Sequence, residues 1–113
     1  MLLLETSEEL IPAREFGWIL RSLGECGLLS AVDAVVVARP PTSDFTVQPT
    51  AAERRARREE QRDAAVGLVE RYNPDAVVVV GPPFGHTRPQ WIVPYGGTMT
   101  VDGAVRKVFA DYR

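Results

Sequence analysis

At 113 residues the chain has the length of one domain, and 45% hydrophobic with 25% charged residues is the composition of a globular fold, which excludes disorder as the default. A net charge of −2 and a pI near 5.4 exclude an overall basic field that would hold nucleic acid or an anionic membrane. The single cysteine, Cys26, excludes an internal disulfide and a thiolate metal cluster, and the apolar runs are too short to span a bilayer, so a cytoplasmic protein is the simplest reading.

Taken in chain order, "MLLLE" (1–5) predicts a short buried strand ending in an acid. Pro12 suits the first position of a helix whose apolar face is Phe16, Ile19, Leu20 and Leu23, stopping near Gly24 or Gly27. "AVDAVVVA" (31–38) predicts a second buried strand, closed by the prolines of "RPPTSDF". "TAAE" (50–53) has the form of a capping box and predicts a helix running to about Tyr72, since Pro74 disfavours helical geometry at Asn73. The first half of this helix is almost wholly charged, with Glu53/Arg57 and Arg55/Glu59 spaced to attract, and its apolar contacts fall late, at Ala65, Val66, Leu68, Val69 and Tyr72. "AVVVV" (76–80) predicts a third buried strand. "QWIV" (90–93) and "TMTV" (98–101) are short strand candidates, and Asp102-Gly103 predicts a two-residue hairpin turn into "AVRKVFADY".

Three apolar strands separated by helices imply parallel crossovers with both sheet faces covered, and the strands that follow should pair antiparallel. The fold expected is a single α/β domain over residues 1–113 with a parallel sheet core and antiparallel C-terminal strands.

In such a sheet ligands sit beyond the carboxyl ends of the strands. Glu5 ends the first strand and His86, the only histidine, lies in the loop leaving the third. If those strands are neighbours, the carboxylate could fix the imidazole tautomer and leave the other ring nitrogen as a general base. Spacing alone favours a surface-loop histidine and a helix-entry acid over such a pair. No nucleophile accompanies the pair: Cys26 reads as a half-buried thiol at a helix end, and Ser7, Ser22, Ser30 and Ser43 stand in no strand-to-helix elbow. "RRARR" (54–58) reads as a solvated helix face, because acids surround it. "GPPFGH" lacks the spacing and lysine of a phosphate loop, and one histidine with scattered acids gives no metal-binding pattern, so no cofactor is expected. Trp18 and Trp91 suit packing, with Trp91 close enough in sequence to His86 to line a pocket beside Phe84 and Thr87.

"LLLETSEE", the helix ending in "LGECGLLS", the strand "AVVVA" and above all "GPPFGHTRPQWIVPYGG" resemble the C-terminal domain of the LD-carboxypeptidase family, serine peptidases that trim murein peptides. "ETSEE" and "GHTRPQ" are more similar to the branch containing the microcin C7 self-immunity proteins. The resemblance covers essentially the whole chain, and its histidine motif is the specific part. It implies a swivelling β/β/α domain, a catalytic histidine at His86 and a triad glutamate at Glu5. The serine and the oxyanion hole would belong to an N-terminal flavodoxin-like domain that this chain lacks, so the isolated chain should be inactive. It further implies a small peptide or peptide-nucleotide substrate and a homodimer. "ERRARREEQRD" is longer than or shifted from the usual family segment, which bears on the pocket rim. The chain opens directly on its first strand, as expected of a C-terminal domain cut from a longer protein. The rival reading is a non-enzymatic α/β module that binds a peptide or ligand through Phe84, His86 and Trp91.

Overall fold

The computed structural model describes residues 1–113, in the order β1 (Leu2–Leu4), α1 (Ala13–Glu25), a 3-10 turn (Leu29–Ala31), β2 (Ala34–Val37), α2 (Ala51–Tyr72), β3 (Val77–Val80), β4 (Thr98–Asp102) and β5 (Lys107–Asp111). β1, β2 and β3 form a parallel sheet in that spatial order, with Leu3 opposite Val36 and Val36 opposite Val79. β4 and β5 form a separate antiparallel pair.

Alternation along the strands sorts the core into two layers. Val35 and Val37 pack with Phe16, Leu20, Leu29, Ala65 and Val69 on the helical face, and Leu2, Leu4, Val78 and Val80 extend that cluster. Val36, Ala38 and Phe84 form the opposite face, joined by Leu3, Val79, Val93 and Val101. Helices therefore cover one side of the parallel sheet, and the histidine loop and hairpin cover the other, which is the mixed α/β arrangement expected. β2 is buried throughout because it alone has strands on both edges as well as layers on both faces. No helix is long and apolar enough to cross a membrane.

The helices follow the sequence with local differences. Pro12 is the N-cap of α1 rather than its first helical residue, its carbonyl accepting from the Glu15 and Phe16 N–H groups. Phe16 and Leu20 are buried, but Ile19 is half exposed, because α2 and the sheet cover a narrower stripe than the four apolar positions span. At Gly24 an added Cβ would lie 2.4 Å from the Tyr72 ring, so the glycine lets α2 press onto α1, and the Tyr72 hydroxyl donates to Glu25 at 2.6 Å.

The capping box of α2 forms as expected: the Thr50 N–H donates to the Glu53 carboxylate at 2.7 Å and the Thr50 hydroxyl accepts from the Glu53 N–H at 3.3 Å. The hydroxyl and N–H of Thr50 hold the Glu53 carboxyl below its ordinary pKa. Neither expected i, i+4 ion pair closes: Glu53 is engaged in the cap and Arg57 reaches off the helix to the Ile11 carbonyl at 3.0 Å, and Arg55 and Glu59 do not pair either. Gln61, within the charged stretch, is 3% exposed and donates to the same carbonyl at 2.7 Å. At the far end, Asn73 donates to the carbonyls of Leu29 and Val32, both at 2.9 Å, tying α2 to the entry of β2.

Two C-terminal expectations differ. Residues 90–93 form no strand: Pro89 and Pro94 bound the segment, and the Trp91 N–H is taken by the Pro83 carbonyl instead of a ladder partner. The hairpin turn is four residues, 103–106, rather than two, since Asp102 still pairs with Lys107. The Asp102 carboxylate accepts from Ala104 and Val105 N–H groups at 3.0 and 3.1 Å, and the left-handed position falls on Arg106 (φ 55°) instead of Gly103.

Candidate active site

Glu5 is the first residue beyond β1, and the loop from Gly81 leaves β3 at the same edge of the sheet. Their strands are not neighbours, because β2 lies between them. The gap is crossed by the histidine loop itself. Phe84, 6% exposed, is seated on Val36 and Ala38 of the central strand and its exit, and the Arg39 N–H donates to the Pro82 carbonyl at 2.9 Å. The loop thus folds back over the end of β2 toward β1. It is closed at its base by the Trp91 N–H on the Pro83 carbonyl at 2.6 Å, and the Gln90 amide donates to the Gly85 carbonyl. The Arg88–Pro89 peptide is cis.

This path brings His86 Nδ1 to 3.3 Å from Glu5 Oε2, with the two side chains 47% and 42% exposed. A half-solvated pair of this kind contributes only about 0–1 kcal/mol to stability, so its consequence is geometric. A carboxylate at this distance from Nδ1 can hold the proton there, the tautomer that would leave Nε2 free to act as a base. Nε2 has no hydrogen-bond partner in the chain: no serine, threonine or cysteine bonds the imidazole. The hydroxyls of Ser22 and Ser30 donate to the carbonyls of Trp18 and Gly27, and Ser7 accepts from the Glu9 N–H. Cys26 is exposed, not buried or half-buried as expected, because it caps the end of α1, where the chain turns toward the start of β2 and so to the opposite sheet edge from Glu5.

Gly85 makes the approach of Glu5 possible. It has φ +82°, and a Cβ built on it would fall 1.8 Å from Glu5 Oε2. Sequence reading passed over this glycine, although "FGH" placed it beside the histidine.

The remaining candidates separate. Phe84 packs into the core instead of facing a ligand. Thr87 lies next to His86 with its hydroxyl oxygen buried and unpartnered. Trp91 lines a cleft of about 640 Å³ with Ile92, Met99, Val108 and Tyr112, and a second cleft of about 410 Å³ lies between β3 and the hairpin; neither includes Glu5 or His86. The pair is half exposed and lines neither cleft. No three His, Cys, Asp or Glu side chains are grouped as a metal cage.

No curated protein and no solved structure matches the chain. The family model for the LD-carboxypeptidase C-terminal domain matches residues 1–101, a span that takes in Glu5, both helices, the parallel sheet and the whole histidine loop. The chain therefore belongs to the LD-carboxypeptidase C-terminal domain family, a domain of serine peptidase-type hydrolases.

Proposed function

We propose that the chain is the acid/base half of an LD-carboxypeptidase-type serine hydrolase, in which His86 is the general base and Glu5 orients it. The observation that carries this reading is the 3.3 Å approach of Glu5 Oε2 to His86 Nδ1 at the carboxyl edge of the parallel sheet, with Nε2 left unengaged. The serine comes from an N-terminal domain of the same protein. Its Oγ attacks the scissile carbonyl while Nε2 takes the hydroxyl proton. The C–N bond then breaks as that proton passes to the leaving amine, and Nε2 next deprotonates a water that attacks the acyl-enzyme carbonyl, returning the proton to the serine Oγ as the ester C–O bond breaks. Glu5 stabilises the imidazolium at both stages.

The open setting of the pair accords with this division, since a site shared by two domains has its second wall on the other one. Substrates are cytoplasmic murein peptides or peptide-nucleotide conjugates of the microcin C7 type. The test is to assay the intact protein and the 113-residue chain on a murein tetrapeptide and on an aminoacyl-sulfamoyl nucleotide. Hydrolysis of one substrate by the intact protein alone is the expected result, whereas turnover of neither by any preparation would remove the hydrolase reading.

A binding module acting through Phe84, His86 and Trp91 is less well supported. Phe84 is committed to the core, and Trp91 lines a cleft without His86.

A further inference from the structure

We infer that Gly85 is a positioning residue that creates the niche in which the Glu5 carboxylate is held against His86; this rests on the His86/Glu5 reading above. Two independent features require glycine there. The backbone is left-handed at φ +82°, a region costly to residues with a Cβ. An added Cβ would also lie 1.8 Å from Oε2, 2.9 Å from Cδ and 3.0 Å from Cβ of Glu5. The volume a side chain would fill is the volume the carboxylate occupies.

The loop has little freedom to step aside. Phe84, the preceding residue, is fixed in the core, and the Gln90 amide and the Trp91 N–H close the loop on the following side. Glu5 is half exposed on an open surface, so it is the group that yields. An alanine at 85 therefore expels the carboxylate and leaves Nδ1 without its partner, while His86 itself stays in place. Gly81 separates strain from clash: it is also left-handed, at φ +107°, but a Cβ there meets nothing within 4 Å.

His86 is the only histidine, so its imidazole ¹⁵N resonances need no assignment. In the 113-residue chain, the neutral imidazole should carry its proton on Nδ1. Gly85→Ala and Glu5→Gln should both move it toward Nε2, and Gly81→Ala should not. In the intact enzyme, Gly85→Ala should lower kcat about 10²-fold with KM little changed, the size expected of a misplaced catalytic group. Should Gly85→Ala fail to fold, adding Glu5→Ala should restore folding, because it removes the two closest clashing atoms. Wild-type ¹⁵N shifts in folded Gly85→Ala, or no rescue of an unfolded variant by Glu5→Ala, would overturn the inference. Shifted resonances with full activity would leave Gly85 as the residue that seats Glu5 and instead refute the orienting role of Glu5 in catalysis.

Discussion

Gln61 links the charged helix to the loop that carries Glu5, and its contribution can be worked out. Its Nε2 donates to the Ile11 carbonyl at 2.7 Å from a side chain 3% exposed, and Arg57 donates to the same oxygen at 3.0 Å. Gln61→Leu keeps most of the volume and removes one hydrogen bond, a net loss of about 1 kcal/mol, because Arg57 still satisfies the carbonyl. Gln61→Ala adds a cavity and should cost about 2–3 kcal/mol. An unfolding entropy of about 2.1 cal/mol/K per residue gives roughly 0.24 kcal/mol/K over the chain, so 1 kcal/mol corresponds to about 4 °C in Tm. The expected shifts are therefore about 4 °C for Gln61→Leu and about 8–12 °C for Gln61→Ala, measured by calorimetry and checked by urea denaturation. A Gln61→Leu protein as stable as the wild type would show that the buried amide contributes packing alone and no net hydrogen bond.

Other outcomes follow from the same geometry. Gly24→Ala should displace the Tyr72 ring, break its bond to Glu25 and cost about 1–3 kcal/mol of stability in urea titration. Phe84→Ala should cost about 3–4 kcal/mol, because it empties the seat of the histidine loop on Val36 and Ala38, and proteolysis of residues 82–91 should quicken. The capping box predicts a pH dependence. Glu53 has a folded pKa below its ordinary 4.5, so its stabilisation of α2 is fully present above that value and is lost as pH falls through the lowered one; Glu53→Gln should flatten the Tm profile between about pH 5 and 3.

What could be read from the sequence was whatever local chemistry decides. A leucine run and two valine runs specified the three parallel strands, and Thr50 with Glu53 specified the start of α2 to the residue. The hairpin differs from its sequence signature because Asp102-Gly103 resembles a tight turn, while the Asp102 side chain instead caps a wider one. "QWIV" has strand-forming residues, but its flanking prolines deny it a ladder. In the site, Glu5 and His86 were found by their places at strand ends. Their meeting depends on a loop crossing β2, and the niche at Gly85 and the clamp at Gln61 depend on residues 80 and 50 positions away, which no local pattern encodes. Gln61 in particular lies hidden in a run of charges that reads as solvated.

In the proposed function His86, oriented by Glu5, is the base for a serine on another domain. The direct measurement is kcat of the intact protein on its peptide substrate for the wild type, His86→Ala and Glu5→Gln. Loss of about 10³-fold or more for His86→Ala, with a smaller fall and unchanged substrate binding for Glu5→Gln, is the predicted result. Turnover of His86→Ala within a few-fold of the wild type would contradict it.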